Sequence, residues 1–139
     1  MIGRSCNLVW LRFLIDGKRY ALHIQSAFRF TKNENILCAN LDMYEPKAEL
    51  LNNTSFSYET FKWDVQGENY FDNWGQTEGR VLKNAHVKNI SVSNFGDLNI
   101  CFDNDIQLEV FNNALYECWR FFEQDTDEDH TVILGNGIE

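Results

Sequence analysis

The chain has 139 residues, a length that suits one domain over 1–139 and buries enough apolar surface to fold without disulfides or metal. Hydrophobic residues make up 44% of it and charged residues 24%, which are globular values that exclude wholesale disorder. The 21 acidic against 12 basic side chains give a net charge of −9. That charge repels phosphate backbones and anionic lipid, so we expect neither direct nucleic-acid binding nor membrane binding.

Apolar residues alternate with polar ones in the first third of the chain. Residues 9–15 and 20–24 alternate on either side of Asp16-Gly17, a dipeptide typical of a two-residue β-hairpin turn. Phe28 and Phe30 continue the period of two, and the apolar run 36–41 follows a polar turn and ends before Pro46. The pattern therefore predicts four strands before residue 46.

The middle of the chain, residues 47–84, has a weaker pattern. Phe61, Trp63 and Val65 alternate and predict a strand, Gly67 predicts a turn, and the aromatic cluster that follows predicts one short helix.

The period of two returns from Val87. It predicts a three-strand meander over residues 87–92, 98–102 and 106–110, then strands over 118–122 and 131–134 that an acidic loop separates. About eight strands with one or two short helices predict a mainly β fold, an antiparallel β-sandwich or a partly open barrel, with α+β as an alternative.

Negative charge is concentrated in the second half of the chain. Residues 1–70 carry eight basic and eight acidic side chains, whereas residues 71–139 carry four and thirteen. From Asp97 onward Arg120 is the only basic residue among eleven acids. Such a segment either keeps the protein soluble or forms a docking surface for a cationic partner, whose association it would accelerate.

Residue patterns for catalysis, metals and cofactors are weak. Asp125, Asp127 and Asp129 have the spacing of a calcium loop, but His130 and Asn136 occupy the loop positions that require glycine and glutamate. The histidines and cysteines lack zinc-site spacing, and the glycines form no nucleotide or nucleophile-elbow motif. We therefore predict no metal, no cofactor, and free, buried thiols.

Several sequence strings together resemble a family of small uncharacterised bacterial proteins. They are LHIQ (22–25), FRF (28–30), DMYEP (42–46), WDVQG (63–67), NFGDLNICFDN (94–104), LEVF (108–111), WRFF (119–122) and GNGIE (135–139). Some members of this kind are immunity proteins beside polymorphic or contact-dependent growth-inhibition toxins. The resemblance covers nearly the whole chain and brings no catalytic signature.

The resemblance implies a non-catalytic protein that binds and neutralises a cognate toxin. The apolar run 8–15 is short, contains Arg12 and lacks a cleavage site, so we expect no signal peptide and a cytoplasmic location. Many such toxins are basic nucleases, so an acidic surface would occlude the active site. We predict that surface at two groups of acids, Asp125, Asp127, Glu128 and Asp129 in one and Asp103, Asp105 and Glu109 in the other. The alternatives are a small hydrolase that uses His23 or His86 with a carboxylate, and a soluble scaffold or ligand-binding module.

Overall fold

The structure, a computed structural model, describes residues 1–127, 130–135 and 137–138. Its strands are β1 Ile2–Ser5, β2 Leu8–Ile15, β3 Lys18–Ile24, β4 Phe28–Lys32, β5 Asn35–Ala39, β6 Val87–Val92, β7 Leu98–Phe102, β8 Gln107–Val110, β9 Glu117–Glu123, β10 Thr131–Leu134 and β11 Gly137–Ile138. Two short α-helices, α1 Ala48–Leu51 and α2 Tyr70–Gln76, and two 3₁₀ helices, Asn40–Tyr44 and Glu78–Asn84, connect β5 to β6. None of these helices has the length and apolar character needed to cross a bilayer.

The strands form two antiparallel sheets. The first sheet has the order β1-β2-β3-β9-β10-β11, and the second has the order β5-β4-β8-β7-β6. Neither sheet closes into a barrel, so the predicted mainly β sandwich is confirmed. One hydrophobic core contains side chains of both sheets, such as Leu22 and Trp119 of the first and Phe30 and Leu108 of the second.

The hairpin of β2 and β3 forms as the sequence predicted. Asp16 and Gly17 both have positive φ, 50° and 79°, as a two-residue turn that matches strand twist requires. The register pairs Phe13 with Tyr20 and Leu11 with Leu22. Because directly paired residues share a face, the predicted alternation directs Leu11 and Leu22 into the core, whereas Ile15 beside the turn stays exposed.

The chain passes between the sheets twice, at residues 25–27 and 111–116. At this crossover end Gln25 N–H donates to the Cys118 carbonyl and Phe111 N–H donates to the Ala27 carbonyl. Strands β4 and β9 run away from this end, and β8 runs toward it. The β7–β8 and β9–β10 turns therefore lie at the strand ends opposite the crossovers.

Helix α2 covers one side of the core. The Asn69 side chain accepts a hydrogen bond from Asp72 N–H and caps the helix. Phe71 and Trp74 face inward and contact Phe28 and Phe30, with ring centroids 5.8 and 4.9 Å apart. The short helix predicted after Gly67 is therefore confirmed.

The predicted strand at Phe61, Trp63 and Val65 is wrong, because residues 61–65 form turns. Their carbonyls find partners in side chains instead of in a neighbouring strand. Arg4 donates to the Trp63 and Val65 carbonyls, and Asn69 also donates to the Trp63 carbonyl. The backbone is satisfied without a sheet ladder, so alternation alone did not produce a strand.

The structure also differs from the prediction in where β5 ends and in the burial of the cysteines. The strand predicted over 36–41 ends at Ala39, where the Asp42 carboxylate accepts from Ala39 N–H and begins a 3₁₀ helix. All four cysteines are free, as predicted, but only Cys38 and Cys118 are buried, whereas Cys6 is exposed.

Candidate functional site

The predicted acidic residues occupy two turns and one strand. Asp103 and Asp105 lie in the β7–β8 turn, Asp125 and Asp127 lie in the β9–β10 turn, and Glu109 lies within β8. All four turn residues are exposed, and Glu109 is half-buried. Glu128 and Asp129 were predicted in the same group as Asp125 but lie outside the described residues.

Asp103 holds the start of β6 to the β7–β8 turn. Its carboxylate accepts from the backbone N–H of His86 at 3.0 Å and lies 3.1 Å from Nδ1 of the same histidine. The backbone bond, followed by the side-chain bond, lowers the pKa of Asp103. Asp103 is therefore an ionised carboxylate at neutral pH.

Asp105 and Asp125 are turn formers as well as charges. Their φ angles are 64° and 63°, in the left-handed region that aspartate and asparagine tolerate better than most residues. Asp125 also accepts from Arg19 at 2.5 Å, with both side chains more than two-thirds exposed. An ion pair this exposed contributes little to the free energy of unfolding.

The fold pairs much of the acidic second half with the basic first half. Arg29 binds Glu109 across the β4–β8 ladder, and Lys18 binds Glu123 where β3 lies beside β9. Glu109, predicted as part of the docking surface, is thus engaged within its own sheet. No salt bridge of the described residues involves Asp105 or Asp127, so the turns keep the charges available to a partner.

An apolar cleft of about 890 Å³ lies between the two sheets. Phe13, Trp119 and Phe121 line it from the first sheet, and Ile90, Ile100 and Phe102 line it from the second sheet. The segment from Leu82 to His86 borders one side of it. This volume lies within the range of about 300 to 1,000 Å³ that is usual for small-molecule sites.

None of the four turn acids lines the cleft, but one residue bound by Asp103 and one residue of the strand after the β9–β10 turn do. His86, which Asp103 binds, lines the cleft, and so does Thr131, the first residue of the strand that follows the β9–β10 turn. Arg19 joins the β2–β3 and β9–β10 turns, since its carbonyl accepts from Gln124 N–H and its guanidinium donates to Asp125. Both acidic turns also lie at the same end of the strands, opposite the crossovers.

The cleft was not predicted from the sequence. The strands that line it were predicted, but the alternating pattern does not distinguish Phe13, Phe121 and Ile90 from residues packed in the core. The strand β6 that contains Ile90 and Val92 lies at the edge of the second sheet, and all of its residues are exposed.

His23 lies on the outer face of the first sheet, as predicted, within a small aromatic and basic cluster. Its ring makes an edge contact with Phe122 at 4.8 Å, and Phe122 stacks on His130 at 4.2 Å. Arg120 Nη1 lies 3.0 Å from His130 Nδ1. Partial burial, then the charge of Arg120, lowers the pKa of His23.

Neither His23 nor His86 bonds a hydroxyl or a thiol among the described residues. His86 has the carboxylate partner that the hydrolase alternative requires, but its side chain is 86% exposed and its ring bonds no hydroxyl or thiol in that part of the chain. His23 bonds no carboxylate there. The hydrolase alternative stays a prediction.

No group of three or more histidine, cysteine, aspartate or glutamate side chains in the described part of the chain is placed to hold a metal ion. No protein-family model, curated protein or solved structure matches the chain.

Proposed function

We propose that the protein is a non-catalytic immunity protein that binds a cognate basic toxin, a nuclease in particular, and blocks its active site. One observation carries the proposal: two exposed acidic turns, with Asp103 and Asp105 in one and Asp125 and Asp127 in the other, lie at the same end of the strands, opposite the crossovers. A nuclease active site must attract phosphate, so it presents the complementary charge.

The acidic turns would act mainly on recognition. Exposed carboxylates steer a cationic partner and raise its association rate by roughly 10 to 10³. Close charge pairs across measured interfaces couple by about 1.5 to 7 kcal/mol. The four carboxylates therefore raise the association rate with the cognate toxin and disfavour toxins that have a different charge pattern.

The surface next to the acidic turns carries exposed apolar side chains. Leu14 and Ile15 precede the β2–β3 turn, and Val87 lies next to His86, with exposed fractions of 74%, 46% and 40%. Interfaces derive most of their affinity from such a centre, while a polar rim sets specificity. An apolar centre with carboxylates around it fits a basic protein better than it fits a free anion.

Growth rescue tests the proposal. Bacteria that express the toxin encoded by the neighbouring open reading frame grow when they also produce this protein, and the two proteins co-purify as a stoichiometric complex. Cells that stay inhibited although both proteins are made would contradict the proposal.

A further inference from the structure

Two neighbouring loops at the crossover end expose large apolar side chains. Phe95 lies in the turn between β6 and β7, and Leu115 and Tyr116 lie in the loop that leads into β9. Their exposed fractions are 81%, 83% and 70%. Side chains this exposed contribute little to the core, so the apolar surface of the two loops is available to another molecule.

Hydrogen bonds and close packing hold the two loops together. The Asn112 side chain donates to the Phe95 carbonyl at 2.6 Å and to the Leu134 carbonyl at 2.9 Å. A Cβ at Gly135 would lie 2.7 Å from Leu115 Cα, so the turn after β10 passes directly against the loop that leads into β9. The apolar side chains are therefore carried by a fixed backbone, which a partner does not have to order.

The two loops are uncharged, although the protein has a net charge of −9. Residues 93–96 and 111–116 include no acidic and no basic residue. Asp97 and Glu117, the acids that flank them, both accept hydrogen bonds within the fold. The exposed acids of the β7–β8 and β9–β10 turns lie at the opposite end of the strands.

The charge distribution favours a second copy of this chain as the occupant. Two copies that each carry nine excess negative charges repel one another least where they meet at their uncharged ends. A cationic partner finds no carboxylate to pair with inside these loops, whereas an identical patch meets each apolar side chain with another one. A two-fold axis produces this self-complementary contact.

We propose that the crossover end is the interface of a weak two-fold dimer, in which Phe95, Leu115 and Tyr116 of one copy pack against the same residues of the other. Since an aromatic side chain buries about 150 to 250 Å², three large side chains exposed by these fractions offer roughly 400 Å² on each copy. With the polar atoms around them the total reaches about 1,000 Å², the lower end for specific interfaces. The acidic turns stay free in this dimer, so the interface does not depend on toxin binding.

Sedimentation equilibrium of the unaltered protein tests the dimer. The mass should rise from 16.3 kDa toward twice that value as the protein concentration passes through the micromolar range. Added salt should strengthen the dimer because it screens the repulsion between two acidic copies, whereas a contact made by ion pairs would weaken. A mass that stays at 16.3 kDa up to about 1 mM, or an association that salt abolishes, would overturn the proposal.

Two leucine variants locate the interface. Leu115→Asp places a charge in the apolar patch, whereas Leu14→Asp adds the same charge at a leucine that is 74% exposed near the opposite end of the strands. The first should raise the dissociation constant of the dimer at least about tenfold, because it buries a carboxylate among apolar side chains, and the second should change it less than about twofold. Equal effects of the two variants would contradict the assignment.

A measurement on the unaltered protein covers the case in which Leu115→Asp alters the loops. Dilution should shift the NMR signals of Phe95, Leu115 and Tyr116 and leave those of Leu14 and Ile90 in place. Shifts centred on Ile90 would mean that the copies pair through the edge strand β6, and shifts centred on Leu14 would place the contact beside the acidic turns. Either result would overturn the proposal.

Discussion

The Arg4 guanidinium is completely buried and reaches a partner with each of its three nitrogens. Its Nε and Nη2 bond the two carboxylate oxygens of Asp72 at 2.7 Å each, and it also donates to the carbonyls of Cys6, Trp63 and Val65. Asp72 additionally accepts from Gly67 N–H. One ion pair thus joins β1, the 61–67 turns and helix α2.

Breaking this pair should strongly destabilise the protein. Arg4→Leu leaves the Asp72 carboxylate buried without a counter-charge, and we expect a loss of about 3 to 5 kcal/mol in the free energy of unfolding. Arg19→Gln removes one partner of the exposed Arg19–Asp125 pair and should cost under about 1 kcal/mol. Urea unfolding measures both. Equal costs would contradict the role given to Arg4.

His23 should titrate below the ordinary histidine value of about 6.5. Its pKa is lower in the folded than in the unfolded chain, so the unfolded chain binds more protons as the pH falls below that value. The contribution of His23 to stability is therefore present above about pH 6.5 and is lost as the pH falls toward the folded pKa.

NMR titration of the His23 ring measures this shift directly. Arg120→Gln removes a repelling charge and frees Glu117, whose charge raises the pKa of His23, so the midpoint should move upward. Tyr20→Phe keeps the outer-face cluster and serves as the control, because Tyr20 contacts Phe121 on the opposite face. A His23 midpoint above the ordinary value would contradict the account.

At the scale of elements, the packing of the β6–β7 turn against β9, β10 and the 111–116 loop requires a glycine at position 96. Gly96 has a φ of 84°, and its carbonyl accepts from Trp119 Nε1 at 2.9 Å. A Cβ at this position would lie 2.8 Å from Ile133 Cγ2 and 2.9 Å from Asn112 Nδ2. Asn112 cannot easily move, because it donates to the carbonyls of Phe95 and Leu134.

Two glycine variants separate strain from crowding. Gly17→Ala changes a residue of similar φ, 79°, with no atom near the new Cβ, and should cost about 1 to 2 kcal/mol in stability. Gly96→Ala carries the same strain and an additional clash, which should add about 1 to 3 kcal/mol. Denaturant midpoints with unchanged slopes measure the difference. Equal losses of stability for the two variants would show that Asn112 and Ile133 move aside and that the clash is not real.

The elements that the sequence predicted are those in which local pattern and tertiary role agree. In β2 and β3 the alternation of Leu11, Phe13 and Leu22 is also the burial pattern, and Asp16-Gly17 fixes the register. The strand prediction for 61–65 was wrong because Arg4, about sixty positions away in the chain, binds the Trp63 and Val65 carbonyls. No local pattern contains that contact.

At the scale of the whole molecule, the fold redistributes charge. Residues 71–139 carry the whole net charge of −9, but pairing of β3 with β9 and of β4 with β8 brings Lys18 to Glu123 and Arg29 to Glu109. The acidic residues could be named from the sequence, but the pairing of Glu109 with Arg29 could not, because it depends on how β4 and β8 meet. The cleft was not predicted either, because it is formed by strands from both ends of the chain.

Two matched sets of charge changes test the acidic turns. The turn variant D103N/D105N/D125N/D127N and the control E49Q/E59Q/D64N/E78Q each remove four exposed negative charges, so the net charge of the two proteins is the same. Asparagine suits the positive φ of Asp105 and Asp125, so the turns keep their shape. Any difference between the variants therefore reports where the charge lies.

The most direct measurement is the association rate with the neighbouring gene's toxin, taken by stopped flow over a series of salt concentrations. The unaltered protein and the control should associate rapidly at low salt and slow steeply as salt rises. The turn variant should associate about tenfold or more slowly at low salt, with a flatter dependence on salt. Identical rates and slopes for the turn variant and the control would contradict the docking of a cationic toxin on the acidic turns.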